Sequence, residues 1–121
     1  MILVNTSIWV DHLRAGDARL VALLDAGQVL VLPHILGEIA LGNLAQRSLV
    51  LDALAGFPKV TTAGDDEVLA FIAAAKLYGL GIGYVDAHLL AAVRLTPGVS
   101  LWTRDRRLRA VAETLGLAHA N

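Results

Sequence analysis

Met1-Ile2-Leu3-Val4-Asn5-Thr6-Ser7-Ile8-Trp9 opens the chain, and the fold turns on how this stretch divides. Ile2, Leu3 and Val4 form a short, wholly apolar, β-prone run, the mark of a strand buried on both faces. Thr6 and Ser7 then precede an apolar pattern of helical period, which predicts a helix over 6–14. The polar residue at the junction, Asn5, stands just past a strand end and just before a helix start. In folds that alternate strand and helix, sites lie at that edge of the sheet.

The same alternation recurs along the chain. A second helix is expected over 18–26, ended by Gly27, then a strand over 29–32. Pro33 opens a helix that carries Glu38 and runs to about position 46, since a first-turn proline loses no hydrogen bond. A further helix is expected around 49–54 and a weak strand over 59–61. Asp65, Asp66 and Glu67 place negative charge at the start of a helix over 68–77, where the helix dipole favours it. Gly79, Gly81 and Gly83 make a flexible connection into a helix over 85–95 with Asp86 in its first turn. After the Pro97-Gly98 turn come a strand over 100–102 and a last helix over 105–115, stopped by Gly116. Repeated strand–helix units imply an α/β fold, a mostly parallel sheet flanked by helices on both faces.

With 121 residues, 56% hydrophobic and 17% charged, the chain reads as a single domain over 1–121 with a real core, and disorder is excluded. The longest run without Asp, Glu, Lys or Arg covers only 26–37, too short to span a bilayer. Ile2–Val4 is too short for the apolar region of a secretory leader. The absence of cysteine rules out disulfides, thiolate–zinc sites and thiol nucleophiles. Together these features suggest a cytoplasmic protein. The net charge of −1 gives no support for nucleic-acid binding, but Arg104, Arg106, Arg107 and Arg109 concentrate basic charge next to Asp105.

Three acids keep apolar company. Glu38 lies in Ile35-Leu36-Gly37-Glu38-Ile39-Ala40-Leu41 and Asp86 in Tyr84-Val85-Asp86-Ala87-His88-Leu89-Leu90, while Asp105 follows Leu101-Trp102-Thr103-Arg104. Carboxylates in such surroundings are commonly paired or bound to a cation. Each also has a plain explanation as a helix-start residue stabilised by the dipole or a cap, with Thr103 as the cap before Asp105. Asp11, Asp17, Asp25, Asp52, Asp65, Asp66, Glu67 and Glu113 read as solvated charges or caps. Trp9, Trp102, His34 and His88 read as structural residues.

In this order, the opening segment, the Gly37-Glu38-Ile39 helix, Tyr84-Val85-Asp86-Ala87-His88-Leu89 and Leu101-Trp102-Thr103-Arg104-Asp105 resemble the PIN-domain ribonucleases. Within them the chain resembles the VapC toxins of prokaryotic toxin–antitoxin pairs. The resemblance covers essentially the whole chain and implies a PIN-like fold and an endoribonuclease dependent on Mg²⁺ or Mn²⁺. It also implies a catalytic and metal-binding quartet at Asn5, Glu38, Asp86 and Asp105, in which the family has Asp at the first position. Thr6, Ser7 and Thr103 resemble the hydroxyl residues beside those acids. An RNA substrate, a VapB-type antitoxin, and a homodimer, heterotetramer or larger complex with that antitoxin follow by the same implication. Apolar residues of the first helix and of the Gly79–Gly83 region would dock the antitoxin. Arg104, Arg106 and Arg107 are candidate RNA contacts, weighed against a solvated basic face.

Asn5 departs from the pattern. An amide offers a cation one neutral oxygen, and its NH₂ end is repelled. Metal affinity and hydrolysis should fall, while loss of a like charge relieves repulsion in the metal-free site. A deliberate exchange that silences a toxic nuclease fits the otherwise complete motif set better than gradual decay. The competing reading is a PIN-fold binding module without chemistry. A response-regulator receiver lacks its late Lys, since none follows Lys76, and its paired acids beside Asn5. A haloacid-dehalogenase-type phosphatase needs Asp where Asn5 and Ser7 stand.

Overall fold

A computed structural model describes residues 1–120. Its elements run β1 (Ile2–Val4), α1 (Thr6–Ala15), α2 (Ala18–Asp25), β2 (Val29–Leu30), α3 (Pro33–Ala40), α4 (Arg47–Ala55), α5 (Asp65–Ala74), α6 (Tyr84–Leu95), β3 (Ser100–Trp102) and α7 (Arg106–Thr114). The three strands form a parallel sheet in the order β2-β1-β3. Ile2 pairs with Val29 and Ser100, and Leu3 with Leu30 and Leu101. All three residues of β1 are buried, which requires cover on both faces of the sheet, as the apolar run demanded. The core extends from β1 through Ile8, Trp9, Leu20, Ile35, Leu89, Leu90, Trp102 and Leu108.

Because β1 and β3 are parallel, their carboxyl ends point the same way and bring Asn5 beside the segment that follows Trp102. The Asn5 backbone N–H donates to the Trp102 carbonyl at 2.9 Å. Pro33 occupies the first turn of α3, so this helix leaves β2 from the same sheet edge and carries Glu38 towards β1. Among the described residues no helix is long and apolar enough to cross a membrane.

Besides β2 ending at Leu30, α5 ending at Ala74 and shifts of a residue or two at other ends, the expected elements differ from the observed ones in three places. Helix α3 stops at Ala40 rather than near position 46, and Gln46, with φ 53°, stands in the left-handed region before α4 starts. Gly42 and Asn43 are poor helix formers, and they fall where the extension was expected. The segment 59–61 contributes one isolated parallel bridge, Val31 to Lys59. Helix α5 begins at Asp65 itself, because the Glu67 side chain reaches back to the Gly64 N–H at 3.0 Å and closes the first turn there.

Candidate active site

Each of the four quartet positions uses one side-chain atom to organise the backbone or a neighbouring hydroxyl. Asn5, buried at 7% exposure, caps α1. Its Oδ1 accepts from the Ser7 N–H at 3.2 Å and from the Ser7 hydroxyl at 3.0 Å. Asp86 reaches back from the first turn of α6, its Oδ2 accepting from the Gly83 N–H at 3.0 Å. Asp105 caps α7 through Oδ1, which accepts from the Leu108 N–H at 2.9 Å. The Asp105 N–H in turn donates to the buried Thr103 hydroxyl at 3.1 Å, so Asp105 is the helix cap and Thr103 supports it. Glu38 accepts through Oε1 from the Thr6 hydroxyl at 2.7 Å.

One atom remains on each side chain. For Glu38, Asp86 and Asp105 it is a carboxylate oxygen that takes no hydrogen bond from the described residues. For Asn5 it is the amide nitrogen. The Ser7 hydroxyl accepts from the Arg104 N–H at 3.3 Å and donates its own proton to Asn5. That network fixes the oxygen of Asn5 towards Ser7 and turns the NH₂ away.

The three carboxylates share one electrostatic neighbourhood. Partial burial pushes the Asp86 carboxyl above its ordinary range, the Gly83 N–H opposes that shift, and the charges of Asp105 and Glu38 raise it further. Like charges that disfavour one another's ionisation are what a bound cation relieves. They are not drawn tightly together: among the described residues no three His, Cys, Asp or Glu side chains are close enough to hold a metal ion. The donor chemistry, oxygen atoms only, suits Mg²⁺, which keeps several waters and takes one or two carboxylates directly.

The arginines divide. Arg104, a candidate RNA contact by sequence, has its guanidinium committed to Asp11 and Asp17 and lies over the Trp102 ring, 5.9 Å from its centroid. It ties α1 and the start of α2 to the segment after β3, a role the sequence did not announce. Arg106 and Arg107 are exposed beside Asp105. Arg107 lies against Gly81, where a Cβ would come within 2.7 Å of its guanidinium; at φ +79° that position suits glycine on both counts.

A second cluster adjoins Asp86. His88, 3% exposed, stacks on His34 with centroids 4.3 Å apart. Its Nε2 lies 3.0 Å from Asp65 Oδ1, which also accepts from the Tyr84 hydroxyl at 2.7 Å. Burial lowers the His34 pKa, and His88 lowers it further. The sequence offered no signal for the Asp65 contacts, because a helix-start acid gives no hint of a partner on another helix. Trp9 and Trp102 are core residues, each 3% exposed.

With this geometry in hand, comparison with known proteins identifies the class. The PIN domain family model matches residues 2–114, and the chain belongs to that family. Ribonuclease VapC32 of Mycobacterium tuberculosis, from strain CDC 1551 / Oshkosh and from strain H37Rv, is 48% identical over 120 residues. The match covers 99% of this chain and 97% of the relative. It places the chain among the VapC-type ribonucleases. The crystal structure of FitAcB from Neisseria gonorrhoeae aligns with a TM-score of 0.65 at 24% identity, covering 100% of this chain and 97% of that one. At that identity the likeness supports the fold alone.

Proposed function

We propose that the chain is a VapC-like toxin of reduced activity, an endoribonuclease that hydrolyses RNA phosphodiesters with Mg²⁺ or Mn²⁺ at Glu38, Asp86 and Asp105. The observation that carries this reading is the pattern of spare atoms. Three side chains are locked through one oxygen and offer the other, and Asn5 offers an NH₂ instead. When bound, the ion acidifies an attacking water and neutralises charge on the phosphate and the leaving oxygen. The residues of the chain supply placement. Thr6 orients Glu38, the Gly83 N–H orients Asp86, and the Leu108 N–H and Thr103 orient Asp105. The exposed Arg106 and Arg107 face solvent beside Asp105, where they attract RNA phosphates.

A groove of about 690 Å³ runs beside Glu38, lined by Val10, Leu13, Ile39, Leu44 and Val50. It supports docking of a VapB-type antitoxin segment close to the acids. We further propose assembly as a homodimer, with larger complexes when antitoxin is present, and a cytoplasmic location where RNA is met. Light scattering with and without antitoxin tests the assembly.

The decisive experiment is cleavage of a mixed structured-RNA pool by this chain and by its Asn5→Asp variant, in Mg²⁺ or Mn²⁺ and in EDTA. The variant is expected to cut faster by a factor on the order of 10–100, the size of effect seen when a partner of a metal's ligand shell is altered, and EDTA is expected to stop it. Equal cutting by both chains would overturn the role given to Asn5. If neither cuts any RNA offered, the binding-module reading takes its place.

A further inference from the structure

Three acids open α5, and they do different work. Glu67 closes the helix on Gly64. Asp66 has no side-chain partner among the described residues. Asp65 crosses to α6, where a single oxygen, Oδ1, accepts from both the Tyr84 hydroxyl and His88 Nε2. Tyr84 and His88 stand two residues before and two after Asp86, so the pair brackets it from the first residue of that helix to the start of its second turn.

We propose that Asp65 is a positioning residue for the metal-binding carboxylate of Asp86. The first turn of α6 otherwise depends on Asp86 itself, whose Oδ2 is, among the described residues, the only side-chain atom that caps it. The chain enters this turn through Gly79 and Gly81, both at positive φ, residues that restrain their neighbours least. An acid that must both close its own helix and meet a cation needs the turn held from outside. Asp65 holds it from a neighbouring helix, its other oxygen left to solvent at 78% side-chain exposure. The buried His88 ring, stacked on His34, supplies the rigid end of the clamp. Asp65 is held below its ordinary carboxylate range first by the Tyr84 hydroxyl and then by His88, in keeping with an ionised acceptor. This inference rests on the metal-dependent reading of the site.

The test uses the Asn5→Asp chain with Asp65→Ala, Asp65→Asn or Asp66→Ala added, and two readouts. Amide hydrogen exchange without metal is read along α6, and Mn²⁺ affinity by titration calorimetry. Asp65→Ala should speed exchange at the Ala87 and His88 amides roughly five- to thirtyfold, the scale of two lost hydrogen bonds, and leave Leu90–Val93 unchanged. It should weaken Mn²⁺ binding about tenfold. Asp65→Asn keeps the shared oxygen and should restore both. Asp66→Ala removes the same charge from the same helix end and should change neither. Unchanged exchange in Asp65→Ala, or a rise spread evenly over α5 and α6, overturns the proposal. So does an Asp66→Ala chain that weakens Mn²⁺ as much, since charge alone then accounts for the loss. If no chain binds Mn²⁺ while the local exchange effect appears, the clamp stands and the metal-dependent reading falls.

Discussion

At position 5 an amide and a carboxylate differ in the one group that is turned away from Ser7. Asn and Asp are near-equal helix caps, so Asn5→Asp should fold as this chain does and differ mainly in what it offers a cation. Asp86 allows a sharper test. Its folded carboxyl holds a proton more tightly than the unfolded one, chiefly through burial and then through Asp105 and Glu38. The sign follows: stability from this group is fully present below the ordinary carboxylate range and is lost as pH rises through the raised value. Asp86→Asn, which keeps an oxygen for the Gly83 N–H, should therefore melt at a higher temperature than this chain at pH 7 in EDTA. The difference should vanish near pH 3 in thermal melts followed by circular dichroism. A lower melting temperature at pH 7 would mean that the ionised carboxylate stabilises the fold.

At the scale of elements, α1, α2 and the segment after β3 meet at Arg104. Asp17 caps α2 through the Leu20 N–H at 3.0 Å and binds the Arg104 guanidinium. The Leu20 N–H first, and then Arg104, lower its pKa. Stability from Asp17 is thus present above the ordinary carboxylate range and lost as pH falls through its depressed value. Asp17→Ala should cost about 1 kcal/mol at pH 7, the usual value of a cap, and flatten the acid limb of a urea-denaturation series. Most elements were legible in sequence because their signals are local: Ile2–Val4 as a buried strand, Pro33 as a helix opening, Gly27 and Gly116 as stops. Glu38, Asp86 and Asp105 stood out in sequence from the apolar company they keep, and the fold puts each at or near a helix start or beside Thr6. The ion pairs of Arg104 were hidden because four clustered arginines look alike in sequence, and only the fold brings Asp11 and Asp17 to one of them. The tie from Asp65 to His88 was hidden for the same reason, since nothing local links positions 23 apart.

The whole molecule hangs on β1. It is the central strand, bonded to β2 on one side and β3 on the other, and Leu3 within it is fully buried. Leu3→Ala should cost about 2–5 kcal/mol, a large share of the roughly 5–15 kcal/mol that holds a domain together. The check is a urea midpoint that drops while the slope of the transition stays the same. The partner that β1 needs on its β3 side arrives late: the bond from the Arg104 N–H to Ser7 joins residues 97 positions apart. During synthesis, then, the first strand leaves the ribosome long before its neighbour exists. Asn5 stands without Asp105 until nearly the whole chain has been made. A chain cut short before Ser100 would leave β1 with one edge unpaired, its buried strand open on the side that β3 closes.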